Sequence, residues 1–223
     1  MTAPVIVGRP DILVLLDVDS TLINDEVIEL LAEEAGSRVL VEEITRAAMN
    51  GELDFEQSLR ARVRTLAGLD EGAILRVRER ITVTRGVPEL IAGVHAAGGL
   101  VAVVSGGFHE VIDPLVTTLG LDRHRANRLG MVDGILTGQL SGPIIDAAAK
   151  ANALREWAGE AGIPLAQTVV VGDGANDLAM MEIAGLSVGF DAKGPVRSRA
   201  DVLIDVRDLR QVLPLLGLPF RQD

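Results

Sequence analysis

Three aspartates of this chain follow short apolar runs, and their positions suit the binding of a cation. Asp17 and Asp19 stand two residues apart directly after a short apolar run, and Asp173 follows another such run. Three carboxylates brought together repel one another, and a hard cation removes that cost, with oxygen ligands favouring Mg²⁺. The sequence therefore predicts a Mg²⁺ site built on Asp17, Asp19 and Asp173.

A second set of residues could receive an anion. Ser105-Gly106-Gly107 follows an apolar run, and we expect it to open a helix, where its hydroxyl and unobstructed N–H groups would form an anion site. Lys150 adds a positive charge and is one of only two lysines in the chain. Carboxylates, a metal, an anion cradle and a lysine together describe phosphoryl transfer.

The paired aspartates would divide that chemistry between them. Attack by Asp17 on phosphorus would give an aspartyl-phosphate. Asp19 would protonate the leaving alkoxide and then, once ionised, deprotonate the attacking water. Each motif alone has a plainer interpretation, because an Asp pair after a strand is often a turn and Asn176 and Asp177 could cap a helix. Their occurrence together, each at the end of a strand or the start of a helix, favours catalysis.

Alternating strands and helices must position these groups. Short β-branched apolar runs predict strands buried on both faces at 12–16, 100–104, 168–171, 186–188 and 202–204. Helical periodicity lies at 87–97, at 146–161 with Asp146 as N-cap, and at 175–184. This alternation predicts an α/β fold with a doubly wound parallel sheet, whose ligands bind at the carboxyl ends of the strands.

One stretch of the chain departs from this alternation. Residues 25–80 contain no convincing strand and are interpreted as a helical cap inserted after the first strand. The predicted division is a catalytic core of residues 1–22 and 86–223 and a small helical cap of residues 23–85. Residues 127–140 carry an Asp-Gly turn between two extended runs, which indicates a hairpin.

Composition narrows the class of protein. The chain has 223 residues, of which 48% are hydrophobic, as expected of one elaborated globular domain. Its net charge of −11 argues against nucleic acid and anionic membrane surfaces as partners. The absence of cysteine excludes disulfides and a thiol nucleophile. Without a long apolar run or a basic leader, we expect a cytoplasmic monomer or homodimer acting on a small molecule.

Taken together, four segments resemble the motifs of the haloacid dehalogenase superfamily of phosphatases. They are Asp17-Val18-Asp19-Ser20-Thr21, Ser105-Gly106-Gly107, Lys150 and Gly172-Asp173-Gly174-Ala175-Asn176-Asp177. The chain is further similar to the phosphoserine phosphatase family through Glu26, residues 49–62, residues 104–108 and Ala126-Asn127-Arg128-Leu129. The resemblance covers about residues 11–190 and is specific as a set. It implies a Rossmannoid core, Mg²⁺ as cofactor and hydrolysis of O-phospho-L-serine, the last step of serine synthesis.

The resemblance implies a role for each matching core residue. Asp17 is the expected nucleophile and metal ligand, Asp19 the acid/base whose main-chain carbonyl binds the metal, and Asp173 the remaining ligand. Asp177 would orient Lys150 or a metal-bound water. Six residues are expected to form the phosphate site: Ser105, Gly106, Gly107, Lys150, Asn176 and Asp177.

The cap residues would read the rest of the substrate. Glu26 would pair with its ammonium group, and Arg62 would grip its carboxylate through a bidentate fork. Met49 and Phe55 would close over the site and exclude water. Without the resemblance, Met49 and Phe55 are most simply interpreted as core residues of a helical cap.

Three alternatives stay open at this point. The same fold could transfer the phosphoryl group from phosphoserine to another small alcohol such as homoserine, or act on a different small phosphate monoester. A receiver module also uses Asp, Ser/Thr, Lys and Mg²⁺ on a doubly wound sheet. Such a module places its accepting Asp on a later strand and lacks the second Asp.

Overall fold

One sheet of seven strands forms the centre of the molecule. The computed structural model describes residues 12–219, apart from the side chain of Met49. The strand order is β4-β3-β2-β1-β5-β6-β7, and β4 alone among these strands runs antiparallel to its neighbour. The strands are β1 (Leu13–Leu16), β2 (Leu100–Phe108), β3 (Arg123–Val132), β4 (Ile135–Ser141), β5 (Thr168–Gly172), β6 (Leu186–Phe190) and β7 (Val202–Ile204).

Helices cover both faces of this sheet. They are α1 (Val27–Glu34), α2 (Arg38–Met49), α3 (Phe55–Arg64), α4 (Glu71–Arg80), α5 (Val87–Ala96), α6 (His109–Leu119), α7 (Ala147–Ala161), α8 (Leu178–Met181), α9 (Gly194–Arg197) and α10 (Val212–Leu215). Alternate residues of β1 enter two separate apolar cores, one shared with α5, α6 and α10 and the other with α7, α8 and α9. A strand buried on both faces explains the continuous apolar run. The predicted doubly wound α/β fold is confirmed.

Helices α1 to α4 form a helical insertion between β1 and α5. Asp54 and Gln57 make a capping box at the start of α3, and the Asp70 side chain caps α4. Two backbone seams hold this insertion: the first joins its two ends to each other, and the second joins its α3–α4 connection to β4. In the first seam Asn24 N–H donates to the Thr82 carbonyl at 2.9 Å, and in the second Leu136 N–H donates to the Leu69 carbonyl at 2.8 Å.

Two sequence predictions about local structure are wrong. Ser105-Gly106-Gly107 does not open a helix but lies inside β2, and α6 begins only at His109. The strand continues because Phe108 pairs with Asn127 of β3 beyond the glycines. The helix predicted at 175–184 is also shorter, with α8 ending at Met181.

Other predictions are confirmed. Asp133 and Gly134 form the turn between β3 and β4, with φ of 49° and 76°. Asp146 caps α7 by accepting the Ala149 N–H at 2.8 Å. Among the described C-terminal residues, Leu213 is buried and approaches Gly93 of α5. No helix within residues 12–219 combines the length and the apolar character needed to cross a bilayer.

Candidate active site

A fully buried lysine joins two aspartates at the carboxyl edge of the sheet. Lys150 lies in the first turn of α7, where the Asp146 cap fixes the start of the helix. Its Nζ lies 2.7 Å from Asp17 Oδ1 and 2.8 Å from Asp177 Oδ1. The two carboxylates raise the pKa of Lys150 although burial opposes them, so the lysine is charged. Although a lysine on a helix is usually solvated, Lys150 is fully buried.

Asp177 is an anchor for this lysine. Its Oδ2 accepts the backbone N–H groups of Asp173 and Gly174, both at 3.1 Å, while Oδ1 contacts Lys150. A Cβ at Gly172 would come within 2.3 Å of Asp177 Oδ2, so only glycine fits there. Both oxygens of Asp177 therefore serve to hold the site together.

Asp17 is a buried carboxyl group whose charge is only partly stabilised by Lys150. The residue follows β1, and its N–H donates to the Val171 carbonyl at 2.9 Å, which continues the pairing of β1 with β5. Burial and the charge of Asp177 raise the pKa of Asp17 well above its ordinary value, although Lys150 lowers it. Such a carboxylate gains from any further cation in the site.

Asp19 lies in a tight turn between β1 and α1. Its Oδ1 accepts the Val27 N–H at 2.8 Å, and its Oδ2 accepts the Ser105 hydroxyl at 3.1 Å. Burial, followed by the charge of Glu26, raises the pKa of Asp19 to about 7. A carboxyl group with that pKa can both give and take a proton near neutral pH.

The glycines of β2 let neighbouring groups come close. Gly107 N–H donates to Ser105 Oγ at 2.7 Å, and a Cβ at Gly107 would lie 2.8 Å from Asp19 Oδ2. The Asn127 side chain donates to the Gly106 carbonyl at 2.8 Å and accepts the Ile145 N–H at 2.9 Å. This buried amide fixes Gly106 beside the site, a function that the sequence analysis did not assign to it.

A second lysine enters the site from the loop after β6. Lys193 Nζ lies 3.1 Å from Asp173 Oδ2, while burial raises the pKa of Asp173 and Lys193 opposes that shift. This position of Lys193 was not predicted from the sequence. Two features of the sequence point to Lys193: it is the other of the two lysines, and it follows a predicted strand at the same sheet edge.

Glu26 and Arg62 come from the insertion and its leading turn. Glu26 Oε1 accepts the Ser20 hydroxyl at 2.6 Å, in a turn where Ser20 has a left-handed φ of 57°. Arg62 projects from α3, and within residues 12–219 its side chain forms no ion pair and only one hydrogen bond, to the Ser58 carbonyl at 3.4 Å. Burial lowers the pKa of Arg62, with Glu26 and Asp19 opposing the shift.

These residues surround a single cavity of about 770 Å³. Nine of the predicted residues line it: Asp17, Asp19, Glu26, Phe55, Arg62, Gly106, Gly107, Asp173 and Asn176. Ser105, Lys150 and Asp177 lie buried and bonded to this lining. The phenyl ring of Phe55 would be 3.4 Å from a Cβ at Gly106, so the insertion touches β2 here. The predicted contact of Met49 lies outside the described residues.

The donor set fits a hard metal ion. Asp17, Asp173 and Asp177 are buried and offer carboxylate oxygens within 4.8 Å of one another. Only oxygen atoms are offered, which matches the preference of Mg²⁺ and disfavours softer ions. Because Asp177 already holds Lys150 and two backbone N–H groups, Asp17 and Asp173 are the carboxylates best placed for a metal.

Comparison with known proteins identifies the class. The haloacid dehalogenase-like hydrolase family model matches residues 14–182, and the chain belongs to this family. It is therefore an enzyme of a hydrolase family rather than a receiver module.

Curated relatives narrow the class further. A Streptomyces coelicolor protein named phosphoserine phosphatase is 54% identical over 210 residues, which are 94% of this chain and 51% of that protein. A Streptococcus thermophilus protein of the same name is 47% identical over 92% of this chain and 95% of its own length. The chain thus spans about half of the first relative and nearly all of the second.

Solved structures show the same fold. A structure described as a phospho-aspartyl intermediate analogue of phosphoserine phosphatase aligns with a TM-score of 0.87 and 44% identity, over 93% of this chain and 99% of the other. A substrate-bound phosphoserine phosphatase aligns with a TM-score of 0.88 at the same identity and coverage.

Proposed function

We propose that this protein is a phosphoserine phosphatase, which hydrolyses O-phospho-L-serine to L-serine and phosphate. The observation that carries the proposal is one cavity that brings two sets of charged groups together. Asp17, held by Lys150, lines this cavity, and so do Glu26 and Arg62, which have opposite charges. Phosphoserine carries a phosphate, an ammonium and a carboxylate, so it has a partner in this cavity for each charged group. The 44% to 54% identity to proteins of this name supports the same substrate.

Asp17 acts as the nucleophile. Val18 N–H and Lys150 Nζ both contact Asp17 Oδ1 at 2.7 Å, which leaves Oδ2 for attack on phosphorus. The new bond joins Asp17 to phosphorus while the bond from phosphorus to the serine oxygen breaks. Lys150 and the N–H group of Gly106 stabilise the negative charge of the phosphoryl oxygens, while the Gly107 N–H already donates to Ser105 Oγ.

Asp19 moves the protons. With a pKa of about 7, it is substantially protonated near neutral pH and gives its proton to the departing serine alkoxide. The resulting carboxylate then takes a proton from a water molecule, whose oxygen attacks phosphorus and releases Asp17. Hydrogen bonds from Val27 and Ser105 hold the carboxyl group in place for both steps.

Mg²⁺ is the metal that we propose for the acidic end. The carboxylates of Asp17 and Asp173, with the main-chain carbonyl of Asp19, would hold it. When bound, the ion supplies positive charge against the phosphate oxygens and lets two anions approach. Lys193 Nζ lies 3.1 Å from Asp173 Oδ2, so Lys193 and the metal would share the Asp173 carboxylate.

Residues 23–85 act as the cap that selects the substrate. The Arg62 guanidinium is half-buried and has no carboxylate partner among the described residues, so its fork is available for the serine carboxylate. Glu26 offers a negative charge for the ammonium group. Phe55 covers Gly106 and helps to exclude water from the phosphoryl group.

A substrate panel tests the proposal. With Mg²⁺ present, we expect kcat/KM for O-phospho-L-serine to exceed that for sugar phosphates and p-nitrophenyl phosphate by about 100-fold or more, since two charged contacts are lost. O-phospho-D-serine should be intermediate, because its ammonium and carboxylate are exchanged in position. Equal rates across the panel would contradict the assignment of Glu26 and Arg62.

A second arm separates hydrolysis from transfer. The reaction is repeated with homoserine or another small alcohol, and both inorganic phosphate and phosphorylated acceptor are measured. We expect phosphate to equal the serine released in every case. Phosphorylated acceptor as the main product would make the protein a phosphotransferase with the same covalent step.

A further inference from the structure

Away from the cavity, three metal-ligand side chains meet where α6 packs on β3. His109 and Asp113 are one turn apart on α6, and His124 lies on β3. His109 Nδ1 is 2.6 Å and His124 Nε2 is 2.9 Å from the same oxygen, Asp113 Oδ1. All three ligand atoms lie within 4.8 Å of one another. Two imidazoles thus aim at one point beside a carboxylate.

The three side chains offer two imidazole nitrogens and one carboxylate, a donor set typical of zinc sites. The centroids of the two imidazole rings are 5.3 Å apart and the rings are inclined at 69°, so the rings are not stacked and one nitrogen of each contacts the same carboxylate oxygen. The side chains are 17%, 45% and 30% exposed for His109, Asp113 and His124. Water can therefore reach the cluster and complete a coordination shell.

We propose that His109, Asp113 and His124 form a zinc site with water as the fourth ligand. Neutral imidazole nitrogen favours Zn²⁺ over Mg²⁺, whereas the oxygen-only donors of the catalytic cavity favour Mg²⁺. The two sites therefore differ in ligand chemistry and select different ions. The proposal does not depend on the substrate of the enzyme.

One hydrogen bond limits the affinity of this site. The Ala126 N–H donates to His109 Nε2 at 3.3 Å, which places the proton of the neutral ring on Nδ1. Zinc binding at Nδ1 moves that proton to Nε2, so this hydrogen bond is lost. We expect binding in the micromolar range, weaker than that of a buried structural zinc.

The position of the site links it to the catalytic strand. His109 follows β2 directly, and Ala126 precedes Asn127, whose amide holds the Gly106 carbonyl at 2.8 Å. A zinc ion here joins the start of α6 to β3 next to that contact. Because it binds the folded chain, it should raise Tm, by about 2 to 5 °C at saturation.

Nuclear magnetic resonance of the histidine rings tests the proposal. The chain has three histidines, and His95, paired with Asp122 at 2.8 Å, is an internal control outside the cluster. Metal-free protein is saturated with Mg²⁺ to fill the carboxylate site and then titrated with Zn²⁺. We expect the ring signals of His109 and His124 to shift and saturate at one equivalent, while His95 stays unchanged. Equal movement of all three signals, or no movement, would overturn the proposal.

Matched variants give the second measurement. His124→Gln should weaken zinc binding by about tenfold or more, measured by calorimetry with Mg²⁺ present, and should abolish the rise in Tm. His95→Gln should change neither. An affinity for zinc that is the same in His124→Gln and the unsubstituted protein would refute the site. The ring titration of the unsubstituted protein decides the question on its own if His124→Gln does not fold.

Discussion

The core side and the insertion side of the catalytic cavity differ in whether their charged side chains already have partners within the protein. At the acidic end Lys150 is completely buried and contacts Asp17 at 2.7 Å and Asp177 at 2.8 Å. On the insertion side the Arg62 side chain has one hydrogen bond of 3.4 Å within the described residues. Lys150 is therefore held in its working position without a ligand, whereas the charge of Arg62 is available to bind one. Changes in the core should therefore act on kcat, and changes at Arg62 on KM.

The largest effect is expected at the nucleophile. Asp17→Asn keeps the shape of the side chain but removes the oxygen anion that attacks phosphorus. We expect kcat to fall by about 10⁴-fold or more, measured as phosphate released from phosphoserine.

Asp133→Asn is the matched control, because Asp133 is exposed in the turn between β3 and β4. It should leave kcat unchanged. More than a tenth of the normal activity in Asp17→Asn would show that another group attacks phosphorus.

The next largest effect is expected at Arg62, on the insertion side of the cavity. Arg62→Ala should raise KM for phosphoserine by roughly 10- to 100-fold, since a charged hydrogen-bonded contact contributes about 1.5–3 kcal/mol. It should leave KM for p-nitrophenyl phosphate nearly unchanged, because that substrate has no carboxylate. Steady-state kinetics with both substrates measure the two values.

Arg60→Ala is the control on the same helix, where Arg60 is exposed and pairs with Glu56 at 2.7 Å. We expect no change in KM from it. If Arg62→Ala affects both substrates equally, Arg62 positions the site rather than the carboxylate.

A smaller effect is expected at a residue that touches no substrate. Asn127→Ala removes both the donor to the Gly106 carbonyl and the acceptor for the Ile145 N–H. We expect kcat to fall by about tenfold with little change in KM, because Gly106 loses its fixed position. Asn152→Ala on the exposed side of α7 serves as control and should keep full activity.

The smallest effect concerns stability without metal. The pKa of Asp19 is about 7 in the folded protein against 3.8 ordinarily, so the folded state holds a proton that the unfolded state has lost between these values. Stability therefore falls as pH rises through this window. Asp19→Asn removes that loss and should raise the free energy of unfolding at pH 8 by on the order of 1 kcal/mol.

Thermal unfolding in EDTA at two pH values measures this difference. At pH 4 the variant and the unsubstituted protein should unfold at nearly the same temperature, because Asp19 is then protonated. An equal gap in Tm at pH 4 and pH 8 would show that the gain does not come from the ionisation of Asp19.

Most of the core of the site could be predicted because its signals are local. Asp17, Asp19 and Asp173 each follow a short apolar strand, and the rule that parallel strands end at one edge brings them together. The position of Lys150 could be predicted because the Asp146 cap fixes the start of α7. These inferences need only the sequence within a few residues of each group.

The failures all depend on contacts between distant segments. The end of β2 was misplaced because the pairing of Phe108 with Asn127 cannot be read from residues 105–107 alone. Lys193 was missed because its side chain reaches Asp173 from the loop after the neighbouring strand, β6. The placement of Glu26 and Arg62 came from the family resemblance, since helical periodicity does not show which side chains face the cavity. The division into core and cap stays a prediction.

The backbone hydrogen bonds of the insertion restrict how substrate can enter the cavity and how products can leave it. Asn24 is bonded to Thr82 and Leu136 to Leu69 through main-chain groups. Only the second bond links the insertion to β4, so the four helices cannot move away as a rigid body without breaking it. The lining at Thr45, Ala48 and Leu53 lies instead at the α2–α3 end. Serine and phosphate should therefore leave by local bending of that end, and turnover should be sensitive to the stiffness of the short connection between α2 and α3.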